Sequence, residues 1–111
     1  MAGFISGTPV DLTGTTPKEV VAAPASGKQR EILAIHVHNR DTVDHTITVR
    51  KSVGASDYDD YPLVVISSTK KAQLLLEPVV LDATNMSFKL VMAAGITTTA
   101  PRADVVVFEV P

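Results

Sequence analysis

The chain has 111 residues, a formal net charge of −2 and no cysteine, and this length allows one domain with its own core but not two. No block of basic residues is present, which argues against nucleic-acid binding, and the lack of cysteine excludes disulfides and thiolate chemistry. No apolar run approaches the ~18 residues of a membrane span, and residues 1–17 lack the pattern of a signal peptide. We therefore expect neither membrane insertion nor secretion by the general route. The hydrophobic share of 45% is slightly high for a small domain and suggests that other subunits cover part of the surface.

Residues 1–17 predict an extended N-terminal arm, because Gly, Thr and Pro separate its few apolar side chains. These side chains are too sparse to form a core, whereas a neighbouring chain could bury them and pair with the backbone of the arm. We therefore expect the arm to contact another protein chain. The candidate interface residues in the arm are Phe4, Ile5, Val10 and Leu12.

Residues 18–111 predict a single all-β domain, because Val, Ile and Thr dominate and no window has helical periodicity. Gly, Pro, Asn and Asp divide the sequence into short runs, and Gly27 lies in a turn where a positive φ is expected. The expected strands are 18–23, 29–39, 45–53, 63–68, 72–77, 79–82, 86–92 and 103–111. Such a series of short strands is typical of an antiparallel β-sandwich, either immunoglobulin-like or jelly-roll.

Alternation along these strands selects the side chains that face the core. The predicted core residues are Leu33, Ile35, Val37, Ile47, Val49, Phe88 and Leu90. The last strand has apolar side chains on both faces, with Val105 and Val107 on one face and Val106 and Phe108 on the other. A one-sided sheet needs only one apolar face, so this strand is either central in the sandwich or covered on its outer face by another subunit.

All three histidines lie in HVHNRDTVDH, residues 36–45, and such a set could hold a metal ion. A hairpin that keeps both apolar faces inward would pair Val37 with His45, which places His45 on the inner face and His36 and His38 on the outer face. The aspartates of the intervening turn are expected to accept hydrogen bonds from local backbone N–H groups rather than to bind metal. We therefore predict no metal ion and no other cofactor.

The segment DYDDY, residues 57–61, is acidic but lacks the Gly and Glu of a calcium-binding loop. It predicts a solvated polar loop within residues 54–62. Because tyrosine is enriched at protein interfaces, Tyr58 and Tyr61 are further candidate interface residues.

Catalytic motifs are missing from the sequence. There is no G-x-S-x-G motif, no P-loop and no cysteine nucleophile, and no spacing of Ser, His and Asp indicates a triad. We expect no catalytic residues and no enzymatic activity.

The order of features in TTPKEVVAAPASGKQREILAIHVHNRDTVDHTITV, residues 15–49, resembles that of small virion proteins of tailed bacteriophages. In that pattern a Thr/Pro-rich lead-in precedes a short strand, followed by Ala-Pro, a Gly turn, an Ile-rich strand ending in Asn, a polar turn and a returning strand. LLLEPVVLDATNMSFKLVMAAG, residues 74–95, fits the same scheme. The resemblance consists of strands and turns and carries no catalytic motif.

The resemblance implies a non-enzymatic β-sandwich that coats or joins parts of a phage particle, with capsid decoration (cement) as the first expectation. It implies contacts with the major capsid protein or other virion proteins, homo-oligomers, and a place in the virion after assembly in the host cytoplasm. The alternative is a module of the neck, tail or fibre that binds metal or carbohydrate. Carbohydrate binding usually uses exposed aromatic side chains, and the chain has three Phe, two Tyr and no Trp.

Overall fold

The computed structural model describes residues 3–5, 9–65, 70–75 and 78–110, without the side chains of residues 3–5, 60, 61, 63, 70 and 71. These residues form ten strands, and none of them belongs to a helix that could cross a membrane. The strands are β1 (Gly3–Ile5), β2 (Val10–Asp11), β3 (Lys18–Val21), β4 (Gln29–Asn39), β5 (His45–Val53), β6 (Ser56–Val65), β7 (Lys70–Gln73), β8 (Val79–Leu81), β9 (Met86–Met92) and β10 (Arg102–Val110).

The strands form two antiparallel sheets that pack together around one core, which confirms the all-β architecture predicted from the sequence. The first sheet has the order β1-β10-β4-β7, with β2 following β1 along β10 and β8 following β7 along β4. The second sheet has the order β3-β9-β5-β6. Both sheets contribute buried side chains to this core.

The strand pairs nest around the β5–β6 hairpin. Outside that hairpin β4 pairs with β7 and β8, then β3 pairs with β9, and finally β1 and β2 pair with β10. Successive pairs alternate between the two sheets. The beginning of the described chain therefore lies beside its end.

The expected hairpin between residues 29–39 and 45–53 is wrong, although both strands have the predicted bounds. β4 pairs with β10 and β7 in the first sheet, and β5 pairs with β6 and β9 in the second. The chain between them crosses from one sheet to the other. Alternating apolar residues indicate that both strands face a core, but they fit equally well with strands that lie side by side and with strands that face each other across the core.

A β-bulge in β4 changes one of the predicted core positions. Val106 of β10 lies opposite Ala34, and Val107 lies opposite Ile32, so Leu33 is the extra residue. Ile32 is fully buried and Leu33 is only half-buried, which corrects the prediction for this pair. The remaining predicted core residues are buried as expected: Ile35, Val37, Ile47, Val49, Phe88 and Leu90. A bulge shifts the alternation by one residue, and a period-two pattern gives no sign of where that shift occurs.

The polar segment 54–62 is not a loop, because β6 begins at Ser56 within it. Gly54, with φ of 59°, and Ala55 form the two-residue turn between β5 and β6, which is a common hairpin connection when glycine comes first. Across the hairpin Asp59 lies opposite Arg50. The prediction of a loop is therefore wrong, although Asp57 and Asp59 are exposed as expected; both are paired with Arg50 of the neighbouring strand.

The described part of the N-terminal segment packs on its own domain. β1 and β2 both pair with β10, in registers that differ by one residue, and together they form an edge of the first sheet. Leu12 is 2% exposed within the core, and its N–H donates to the carbonyl oxygen of Pro101 at 2.8 Å. This pairing differs from the expected contact with another chain, because β10 offers unpaired backbone groups along its edge and pairing with them satisfies both segments.

Candidate functional site

The three histidines lie in two sheets and in different environments. His36 and His38 are half-buried positions of β4 in the first sheet, and Nε2 of His36 lies 3.3 Å from Oε1 of Gln73. His45 begins β5 in the second sheet and is 1% exposed. The predicted separation of His45 from His36 and His38 is confirmed, although it arises from a crossover and not from a hairpin. Among the described residues no three metal-binding side chains come together.

A buried polar cluster lies where the chain crosses from β4 to β5. Nδ2 of Asn39 donates to the carbonyl oxygens of Val43 at 3.0 Å and Val65 at 2.8 Å, and its Oδ1 accepts the N–H of Asp41 at 3.0 Å. Asn39 is fully buried. Because Val65 ends β6 in the opposite sheet, this amide joins the ends of two strands across the sandwich.

The carboxylate of Asp41 is the second member of the cluster and is 1% exposed. It accepts the backbone N–H groups of Thr42 at 2.9 Å and of Thr97 and Thr98 at 2.8 Å each. Nε2 of His45 lies 2.7 Å from its Oδ2. A carboxylate can only accept, so Nε2 carries the proton, and Nδ1 of His45 has no hydrogen-bond partner within the described part of the chain.

The hydrogen bonds determine the charge of Asp41. Burial alone would raise the pKa of this carboxyl group, but the N–H of Thr97, the ring of His45 and the N–H groups of Thr98 and Thr42 together hold the pKa well below its usual range. A carboxylate stabilised this strongly is a poor proton acceptor at neutral pH. The cluster therefore fastens two loops together and does not resemble an acid–base site. The local bond to Thr42 fits the sequence-based expectation, whereas the bonds to residues 97–99 join distant parts of the chain.

A group of apolar side chains beside Glu31 lies on the outer face of the first sheet, and we call this surface the outer patch. Its residues are Glu31, Ala34, Val80, Val106 and Phe108. Val106 is 40% exposed and lies opposite Ala34, while Val80 is 38% exposed and lies opposite Glu31. The prediction that β10 has apolar side chains on both faces is confirmed, and on this outer face they meet solvent.

The predicted interface residues differ in accessibility. Tyr58 is 61% exposed and Val10 is half-buried in β2. Leu12 is a core residue, so its assignment to an interface is wrong: its side chain fills the sandwich interior and is closed to a partner. The side chains of the other three candidates lie outside the described residues: Phe4, Ile5 and Tyr61.

A pocket of about 220 Å³ opens between the sheets and is lined by Val49, Lys51, Tyr58, Asp59, Val79 and Phe88. Phe88 and Val49 are core residues, so the inner part of the pocket is apolar. At its polar side, Nζ of Lys51 donates to the carbonyl oxygen of Val80 at 3.2 Å. The hydrogen bonds from Arg50 lower the pKa of Asp59 and keep it ionised in an ion pair with Arg50. Sequence reasoning did not find this pocket, because its residues come from four strands of two sheets.

No protein-family model, no curated protein and no solved structure matches this chain.

Proposed function

We propose that this chain is a non-enzymatic structural protein of a tailed-phage virion, and that it decorates the capsid and stabilises the head through subunit contacts. The resemblance of residues 15–49 and 74–95 to small phage virion proteins supports this proposal. The observation that carries it beyond the resemblance is the nested order of the strand pairs.

The nested order favours a jelly-roll over an immunoglobulin-like sandwich. If β1 with β2, and β7 with β8, each count as one interrupted strand, the described chain has four strand positions in each sheet. A jelly-roll is a double sheet of eight strands and is common among viral capsid proteins. In the immunoglobulin order the first strand lies beside the second, whereas here the first strand lies beside the last.

A fold by itself does not define a function, so the proposal also needs a contact surface. The outer patch provides one. Val106 and Val80 expose apolar area on a sheet face that needs no apolar residues for folding. Burying that area against a neighbouring chain would be favourable at roughly 25 cal/mol per Å². We therefore assign the outer patch as the contact with the capsid or with further copies of this chain.

The location is tested on particles of the phage whose genome encodes the chain. Gold-labelled antibodies against this protein should mark the head in electron micrographs, in many copies per particle. Labelling at the neck, tail or fibre would replace capsid decoration by the alternative assignment. Absence of the chain from purified particles, measured by mass spectrometry, would overturn the proposal.

The contact surface is tested with a matched pair of substitutions. Val106→Glu places a charge on the outer patch and should weaken binding to particles stripped of this protein by about tenfold or more. Val43→Glu changes a valine that is also 40% exposed but lies in the loop after β4, and it should bind as well as the unchanged chain. Equal binding by both variants would show that the outer patch is not the contact.

A further inference from the structure

We propose that the pocket between the two sheets binds a small organic carboxylate whose body is apolar, with Lys51 as the anion-binding group. This inference does not depend on the virion assignment. It rests on the shape and lining of the pocket and on the charges around it.

The apolar part of the pocket provides a place for a hydrocarbon body. Val49 is 2% exposed and Phe88 is 3% exposed, and Val79 of β8 packs against the same core. Val79 is half-buried and Tyr58 is exposed, so apolar area at the pocket remains accessible to a ligand. Burying that area against a hydrocarbon body would be favourable at roughly 25 cal/mol per Å².

The polar part of the pocket contains the ammonium group of Lys51. The ammonium group of Lys51 has three N–H donors, and one of them is directed at the carbonyl oxygen of Val80. No carboxylate within the described residues forms an ion pair with Lys51.

Two carboxylates of the adjoining strand are paired with Arg50 and not with Lys51. Asp59 is bonded by Nε and Nη2 of Arg50, and Asp57 accepts a hydrogen bond from Ser52 at 2.7 Å and lies 3.5 Å from Nη1 of Arg50. Arg50, Lys51, Asp57 and Asp59 together carry no net charge, so a ligand carboxylate would be held by direct contact with the ammonium group of Lys51.

The volume limits the size of the ligand. A cavity of about 150 Å³ lined by apolar side chains is known to bind benzene, and this pocket is about 220 Å³. It can take an aromatic ring with a two-carbon arm, whose carboxylate then reaches the mouth. We therefore choose 3-phenylpropionate as the probe and 3-phenylpropan-1-ol as its uncharged counterpart.

The test is a titration followed by ¹H–¹⁵N nuclear magnetic resonance at neutral pH. The acid should shift the amide signals of the pocket strands in a saturable way, with a Kd on the order of 1 mM for a ligand of this size. The alcohol should bind about fivefold more weakly, which corresponds to the loss of one partly exposed charged hydrogen bond. Added salt should weaken binding of the acid and leave binding of the alcohol unchanged.

Substitutions separate the anion contact from simple apolar binding. Lys51→Met keeps the length of the side chain and should reduce the affinity for the acid to that for the alcohol, whereas Lys28→Met, in an exposed turn, should change neither. Val79→Phe should fill the pocket and weaken the binding of both ligands. Equal affinities of the acid and the alcohol in the unchanged protein would overturn the proposal, as would acid binding that Lys51→Met leaves intact or shifts confined to other strands.

Discussion

Oδ2 of Asp41 accepts a 2.7 Å hydrogen bond from Nε2 of His45, and both side chains are almost completely excluded from solvent. The same carboxylate accepts N–H groups from residues 97–99, in the loop between β9 and β10. The crossover between β4 and β5 is therefore held against a second loop. Val43 and Ile96, both exposed, lie on these two loops, so their positions depend on Asp41.

We expect Asp41→Asn to lower the melting temperature by on the order of 10 °C. The new amide group presents two donors where the carboxylate only accepted, so buried N–H groups lose their acceptors. Thermal unfolding followed by circular dichroism measures the change. Asp82→Asn, at an exposed position after β8, is the control and should change the melting temperature by less than about 3 °C. Equal melting temperatures for the two variants would show that the hydrogen bonds to Asp41 contribute nothing.

Low pH should lower the free energy of unfolding, because it protonates Asp41. Its pKa in the folded chain lies below the ordinary value of 3.8, so its contribution to stability is present above that value and is lost as the pH falls below it. We expect the free energy of unfolding, measured in urea, to decrease more steeply between about pH 4 and pH 2 in the unchanged protein than in Asp41→Asn. The carboxyl group of Asp59, whose pKa is also lowered, is present in both proteins and does not affect the comparison. Parallel pH curves would contradict the assignment of a stabilised charge to Asp41.

The bounds of three long strands were predictable, but their partners were not. The predicted ranges 29–39, 45–53 and 86–92 match β4, β5 and β9, because alternation is a property of one strand and its environment. Which strands pair depends on the path of the whole chain. For that reason the crossover after Asn39 was mistaken for a hairpin turn.

In the polar cluster, too, a local hydrogen bond could be predicted from the sequence and the distant ones could not. An aspartate in a polar turn is expected to accept nearby N–H groups, and Asp41 does accept the N–H of Thr42. Its bonds to residues 97–99 required the loop after β9 to fold back onto the crossover, and no local pattern indicates that. The β5–β6 turn, in contrast, had a readable signal that was missed: Gly54 followed by one residue, between segments of opposite charge.

Because of the bulge in β4, truncation of two neighbouring side chains should lower the free energy of unfolding by different amounts. Ile32→Ala should lower the free energy of unfolding by about 2–5 kcal/mol, because the side chain is fully buried. Leu33→Ala should cost less than about 1.5 kcal/mol, since Leu33 is the extra, half-buried residue of the bulge. Urea unfolding of both variants measures the difference. The reverse order would place Leu33 in the core and remove the bulge.

Gly54 should resist substitution because of its backbone conformation alone. Its φ is 59°, and a Cβ added there would meet its nearest atom at 3.6 Å, an ordinary contact. Gly54→Ala should therefore cost about 1–2 kcal/mol, the penalty for a side chain in the left-handed region. Gly14→Ala is the control, because no positive φ applies and no atom lies within 4 Å of the added Cβ. If the two variants unfold at the same urea concentration, the β5–β6 turn has a different conformation from the one described.

The N-terminal segment allows folding and assembly to be tested separately. A chain that begins at Val10 keeps β2 and Leu12 and loses only the three residues of β1 from the described sheet, so it should remain folded with most of its stability. A chain that begins at Lys18 also loses Leu12, a buried leucine, and should be less stable by at least about 2–5 kcal/mol. Circular dichroism and urea unfolding of both chains, with Leu12→Ala in the full chain as a reference, measure these effects. The sequence also predicts that the arm of residues 1–17 contacts another chain. If the part of the arm before Val10 makes that contact, the chain beginning at Val10 should fold normally yet bind particles or self-associate more weakly. Full assembly by that shortened chain would contradict the contact, and full stability of the chain beginning at Lys18 would contradict the place of Leu12 in the core.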